Sequence, residues 1–256
     1  MLVLPGGPGS VLPTRLETAL GARSTRPYRD AGLTVWTATR RRGMPAGHTV
    51  ADMADDYADL IRTELGGRVD VAVGISYGGM VAQHLAARHP DVLGRLALVG
   101  AAATVTPWGS DVDRRFAEAL AAGRDGEAGA AFLEYVVPGE RRRLLRRALG
   151  PAVGLALATA RYPRADALVE SVAERGFDAR PVLPAITAPT LLVAGDEDLF
   201  FSRDAVTETA RLIPDCRLVR YPGLGHLRAV SSARVPRDVV AFLRDAGTTA
   251  PPPPTV

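Results

Sequence analysis

The sequence predicts an α/β fold, a mostly parallel sheet flanked by helices, and three observations predict it. Short apolar, β-branched runs alternate along the chain with stretches of helical periodicity, which argues for a sheet covered on both faces. Most of these runs end in turn residues (Gly, Pro or Ser) or in clustered acids. At 256 residues the chain is long enough to bury one large core.

Met1-Leu2-Val3-Leu4 reads as a buried strand that runs into the loop Pro5-Gly6-Gly7-Pro8-Gly9-Ser10. Pro13 to Asp30 mixes helix and loop signals. Leu33 to Thr39 reads as a strand and Arg40 to Gly47 as a loop. Thr49 then caps a helix from Val50 to about Leu65, with Asp52, Asp55 and Asp56 in its first turns. Gly66-Gly67 ends it. Val69 to Gly74 is a strand, and a helical pattern runs from just after Ser76 to His89, where Pro90 stops it. Leu96 to Gly100 is the next strand.

From about Thr106 to Pro184 the strand rhythm stops. The stretch is rich in Ala, Leu and Arg, with breaks expected at Gly123-Arg124, Pro138-Gly139 and Gly150-Pro151. Residues 106–184 therefore read as a helical lid inserted into a core of 1–105 and 185–247. Thr190 to Ala194 is a strand that ends in Gly195-Asp196-Glu197-Asp198. A helix over about Arg203–Ile213, a strand over Cys216–Tyr221, the loop Pro222-Gly223-Leu224-Gly225-His226 and a helix over about Pro236–Asp245 follow. Residues 248–256, with four consecutive prolines, read as a disordered tail.

Composition excludes several functions. All 31 basic residues are arginine, which removes Schiff-base and P-loop lysine chemistry. The net charge is only +3. The basic run from Arg141 to Arg147 has no interleaved aromatics, so it reads as the solvated face of a helix and not as a nucleic-acid site. No apolar run has the length of a membrane helix, and no basic leader precedes the first strand. Cys216 is the one cysteine, so no internal disulfide forms, which suits a cytoplasmic protein. No Cys/His cluster has zinc spacing. The sequence carries no signal of oligomeric state.

Gly74-Ile75-Ser76-Tyr77-Gly78 falls where a strand gives way to a helix, the context in which G-x-S-x-G has chemical meaning. There Ser76 takes a strained turn that lifts its hydroxyl clear of the sheet. Gly74 and Gly78 leave room for the turn. The N–H of Tyr77 lies at a helix N-terminus, where partial positive charge suits an oxyanion. Serine needs a base, and the base needs an orienting acid. Of four histidines, His84 and His89 lie on the helix leaving Ser76 and point away from a strand-end site. His48 sits in a loop on the correct edge as a candidate pocket residue. His226, just beyond a strand end, is the favoured base. For the acid, position leaves Asp196, Glu197 and Asp198 open. Trp108, Tyr135, Leu199, Phe200 and Leu227 are candidates for an apolar pocket wall.

These motifs together resemble the α/β-hydrolase superfamily, in its esterase and proline-iminopeptidase-like branch. The resemblance covers nearly the whole chain, with the tail and much of the lid outside it. Ser76, Asp198, His226 follow that family's chain order. Gly195-x-x-Asp198 resembles its acid motif, which implies Asp198 as the third member. Gly223-x-Gly225-His226 resembles its base motif, and Arg42-Gly43 a remnant of its D-x-R-G loop. Pro5-Gly6-Gly7-Pro8-Gly9 resembles its H-G-G-P-G loop, which implies the Gly7 N–H as the second oxyanion donor. Pro5 replaces the loop histidine, so that loop must be held by some other group. Thr37 or Thr39 stands where the family has an acid after the second strand. The family's N-terminal edge hairpin has no counterpart in this sequence, so either the hairpin is missing or the true start lies upstream of Met1. The elbow sequence argues against prolyl cleavage, and serine instead of aspartate argues against epoxide or haloalkane chemistry.

The resemblance implies a serine hydrolase that cleaves a small or medium-sized, largely apolar ester through an acyl-enzyme. A small-molecule substrate is then expected, with no nucleic-acid or membrane partner and no metal or organic cofactor. The same three residues also suit a thioesterase or a C–C bond hydrolase, and the fold also carries non-hydrolytic ligand-binding or cyclase members.

Overall fold

The computed structural model describes residues 1–7, 10, 21, 23–159 and 163–245. Expectations for Pro8, Gly9, most of Pro13 to Gly21 and the tail at 248–256 lie outside these residues.

Six strands form one parallel sheet: β1 (Leu2–Leu4), β2 (Trp36–Thr37), β3 (Val69–Ile75), β4 (Leu93–Val99), β5 (Thr190–Gly195) and β6 (Cys216–Tyr221). Their spatial order is β2-β1-β3-β4-β5-β6, so β3 is central. The strands alternate between two cores. Leu2, Leu4, Ala72, Leu96, Leu98, Leu192 and Ala194 face one core, whereas Val3, Val71, Val73, Ala97, Val99, Leu191 and Val193 face the other. Both faces of the pleat are thus apolar, which demands helices on both sides.

The first face is covered by α2 (Val50–Glu64) and α3 (Tyr77–Arg88). The cap of α2 is a capping box: the Thr49 hydroxyl accepts from the Asp52 N–H, and the Asp52 carboxylate accepts from the Thr49 N–H. The other face carries α1 (Arg26–Asp30) and, near the C-terminus, α9 (His226–Val230) and α10 (Arg234–Asp245), which contribute Tyr28, Ala229, Val235, Val239 and Phe242. α8 (Arg203–Leu212) joins β5 to β6.

β2 is shorter than the run from Leu33 to Thr39 suggested. It pairs only with β1, over two residues, and Trp36 is 53% exposed. A strand at a sheet edge beside a three-residue neighbour has little ladder to join.

Between β4 and β5 lie four helices: α4 (Pro107–Ala121), α5 (Asp125–Val136), α6 (Arg143–Thr159) and α7 (Arg164–Arg175). They bury a small core of their own around Phe116, Leu120, Ala128 and Ala167. The two ends of this insertion meet in a bridge between Thr104 and Asp178. Two of the expected breaks fall between helices, but Gly150-Pro151 does not break the chain and lies inside α6. The glycine serves helix packing instead. A Cβ on Gly129 would lie 2.1 Å from the Gly150 carbonyl oxygen, so α5 and α6 touch backbone to backbone. Arg146, in the run expected to be solvated, turns inward and donates to the Val137 and Gly139 carbonyls.

An exposed helical Gly→Ala change ordinarily gains about 1 kcal/mol. Gly129→Ala is expected to do the reverse and cost about 1–3 kcal/mol, because rigid backbone fills the space. Urea denaturation of the two proteins measures the sign.

Candidate active site

Ser76 links β3 to α3 and is the only non-glycine with positive φ among the described residues (φ 51°, ψ −118°). Such a conformation costs on the order of 1–3 kcal/mol and persists only when its surroundings enforce it. Here they do. The Ser76 N–H donates to the Val99 carbonyl at 2.9 Å, and the Ser76 carbonyl accepts from the Gly79 N–H at 2.8 Å. Gly78 passes so near β1 that a Cβ would sit 2.1 Å from the Leu4 carbonyl oxygen.

This turn aims the hydroxyl at His226. Ser76 Oγ lies 2.9 Å from His226 Nε2, and His226 Nδ1 lies 2.7 Å from Asp198 Oδ2. Of the three acids after β5, Asp198 alone meets the imidazole. Its other oxygen accepts from the Phe200 and Phe201 N–H groups at 2.8 and 3.1 Å, which fixes the carboxylate. Asp196 instead pairs with Arg203 and Arg220. His226 opens α9 just past β6, and its ring lies 4.9 Å from Phe200 and 5.8 Å from Phe201.

A cavity of about 400 Å³ opens beside Ser76 and His226. Gly6, Gly7 and Tyr77 line it, as do Tyr135, Phe200 and Leu227 from the expected wall. Gly7 takes a left-handed φ of 63°. Gly6 packs so closely on the elbow that a Cβ would stand 2.8 Å from Ser76 Cβ. Tyr77 begins α3, so its N–H is one of the four at the helix start that have no intrahelical acceptor.

Three expected wall residues lie elsewhere. His48 pairs with Asp56 at 2.9 Å, because the loop before α2 turns its ring to that helix and away from the cavity. Trp108 packs edge-on against Phe200 at 5.1 Å, one layer behind the wall. Leu199 points to solvent and is 47% exposed, since the next two residues bend inward to bond Asp198.

The residues that sequence reasoning missed are charged. The Arg40 side chain is fully buried. Its Nε donates to Glu170 at 2.7 Å, and its terminal nitrogens donate to the carbonyls of Pro5 (3.1 Å) and Gly7. Arg40 therefore holds the loop where the family motif has a histidine. It also stacks on the Tyr77 ring, 4.2 Å from the centroid. Arg42, which matched the motif, is exposed, and its neighbours Gly43 and Met44 donate their N–H groups to Asp166. Burial pushes the Arg40 pKa down, but the Glu170 carboxylate beside it more than offsets this and the net shift is upward.

Asp113 on α4 and Glu170 and Glu174 on α7 also line the cavity. Burial raises the Asp113 carboxyl to about 6, although hydrogen bonds from Ser171 and Tyr135 pull it down. Burial, with Asp113 beside it, raises Glu174 well above its ordinary value. One signal was present in the sequence: Asp166, Glu170 and Glu174 recur every fourth residue and so share one helix face. All three are buried.

A parallel sheet whose carboxyl edge carries a serine elbow, an imidazole and a buried carboxylate beside a largely apolar cavity defines a class of enzyme. The chain belongs to the alpha/beta hydrolase family, which it matches over residues 1–242. It is similar to pimeloyl-[acyl-carrier protein] methyl ester esterase from Aromatoleum aromaticum, 28% identical over 233 residues that cover 86% of this chain and 89% of the relative. It is also similar to 2-(acetamidomethylene)succinate hydrolase from Mesorhizobium japonicum, 29% identical over 191 residues, covering 70% and 65%. Among solved structures, the enol-lactonase from Burkholderia xenovorans LB400 shares the fold, with a TM-score of 0.70, 22% identity and coverage of 95% of this chain and 90% of that one. The protein is thus an alpha/beta hydrolase enzyme with esterases and other hydrolases among its relatives. No helix among the described residues is long and apolar enough to cross a membrane.

Two stability measurements test the buried charges. Arg40→Met strands the Glu170 carboxylate, and urea denaturation is expected to show a loss of about 3–5 kcal/mol. Glu174 faces Asp113, Glu170 and Arg40, and its raised pKa means that folding opposes ionisation. Its penalty is absent below the ordinary value of 4.5, where both states are protonated, and grows as pH rises above it. Glu174→Gln is therefore expected to raise Tm at pH 8 and leave it unchanged at pH 4, as calorimetry at the two pH values reads directly.

Proposed function

We propose that the protein is a serine hydrolase that cleaves small or medium-sized, largely apolar esters through an acyl-enzyme on Ser76. The observation that carries this reading is the unbroken contact from Ser76 Oγ to His226 Nε2 (2.9 Å) and from His226 Nδ1 to Asp198 (2.7 Å). With Nδ1–H donated to Asp198, the Nε2 lone pair faces the hydroxyl. His226 then accepts the Ser76 proton as Oγ bonds to the ester carbonyl carbon. The N–H groups of Gly7 and Tyr77 hold the resulting oxyanion. Collapse expels the alkoxide, which takes the proton from His226. Water repeats the sequence on the acyl-enzyme and frees the acid.

Support for an apolar acyl group comes from the wall, where Phe116, Phe132, Tyr135, Phe200 and Leu227 line the space beside Ser76. A cavity of about 400 Å³ suits a small to medium-sized ester. The partner is the substrate itself, with no nucleic acid or membrane. A cytoplasmic location suits the free Cys216.

A fluorophosphonate probe is expected to label Ser76 in the wild type and to leave Ser76→Ala unlabelled. p-Nitrophenyl butyrate turnover should fall on the order of 10⁶-fold in kcat with that change. A folded wild-type protein that neither labels nor turns over p-nitrophenyl, thioester or diketone substrates overturns the reading.

A further inference from the structure

The cavity beside Ser76 holds three carboxyl groups that ester cleavage does not use: Asp113, Glu170 and Glu174. Among the described residues, one cation pairs with them. Arg40 binds Glu170 at 2.7 Å and spends its other donors on the Pro5 and Gly7 carbonyls. Asp113 accepts from the Tyr135 hydroxyl at 3.1 Å and from Ser171, both neutral donors, and Arg40 reaches it only through space. Glu174 is 8% exposed, and its buried Oε1 has no hydrogen-bond partner among the described residues. A buried carboxyl oxygen with no partner is rare in a native protein, and this one belongs to a residue that lines the cavity, where a bound ligand can supply a donor.

Two considerations narrow that donor. A cation lets Glu174 and Asp113 ionise together, whereas a hydroxyl satisfies Glu174 Oε1 and leaves the buried acids favouring their protonated forms. An organic cation suits the site better than a metal ion, since among the described residues no three His, Cys, Asp or Glu side chains converge to hold one. The rest of the wall agrees. Phe116 and Phe132 line the same space, and Tyr135 stacks on Phe200 with centroids 5.0 Å apart. Aromatic faces attract cations as well as apolar chains.

We infer that the cavity selects substrates with an apolar chain ending in an alkylammonium group, with the nitrogen between Glu174 and Asp113 and the reacting carbonyl at Ser76. The assignment of the carbonyl rests on the serine hydrolase reading above, whereas the ammonium subsite does not. A chain ending in a carboxylate meets three acids and is rejected.

Two measurements on the full chain separate the claims. Calorimetric titration at pH 7.5 with hexylammonium and with 1-hexanol is expected to show the ammonium bound at least about tenfold more tightly. In Glu174→Gln, with folding checked by its melting curve, that preference should shrink below about threefold. Likewise, kcat/KM for p-nitrophenyl 6-aminohexanoate should exceed that for its isostere p-nitrophenyl heptanoate by about tenfold or more. Equal or weaker wild-type binding of hexylammonium overturns the subsite, even where both esters are hydrolysed. Tight hexylammonium binding with no turnover of either ester overturns the hydrolase reading and leaves the subsite standing.

Discussion

The geometry of the site rests on one strained residue. Ser76 occupies a backbone conformation that a serine adopts only under compulsion, and the compulsion comes from close backbone packing at the end of the central strand. Gly78 lies against β1 with no space for a side chain, and the Val99 carbonyl on β4 takes the Ser76 N–H. The elbow is therefore held by both neighbours of β3. A sheet buried on both faces is rigid enough to store that strain, and the strain lifts the hydroxyl toward His226.

A second constraint is electrostatic. Arg40 is buried without exposure, a position a guanidinium tolerates only when its donors are answered. Its acceptors come from distant parts of the chain: the loop after β1 and α7 of the helical insertion. The ion pair thereby ties the sheet edge that carries Gly7 to the helix that carries Glu170 and Glu174. Tyr77 joins the same contact from the elbow, with its ring under the guanidinium and its hydroxyl on the Glu170 carbonyl at 2.9 Å. The loop, the start of α3 and the cavity wall are thus positioned by one buried network. Beyond the Arg40 pair, Asp113 and Glu174 add two carboxyl groups whose ionisation burial opposes.

Much of this was legible in the chain. The period-two burial of β1, β3, β4 and β5 follows from their apolar runs, and Thr49 with Asp52 announced the start of α2. Ser76 and His226 were readable because each falls just past a strand end, where loops at one sheet edge converge. Asp198 was not separable from Asp196 and Glu197 by position alone. The structure separates them because the Phe200 and Phe201 N–H groups turn one carboxylate inward while Arg203 and Arg220 hold another at the surface.

Local sequence determined the elements, their order and the strand-end chemistry, because periodicity and turn residues act over a few positions. Tertiary structure alone decided which arginine of the run Arg40-Arg41-Arg42 is buried, where His48 points, and that Gly150 packs a helix instead of ending one. It also decided that three acids from two helices share one cavity with Ser76. Those outcomes depend on contacts between residues far apart in the chain: the spacing of Asp166, Glu170 and Glu174 puts them on one helix face, but what covers that face is set by distant segments.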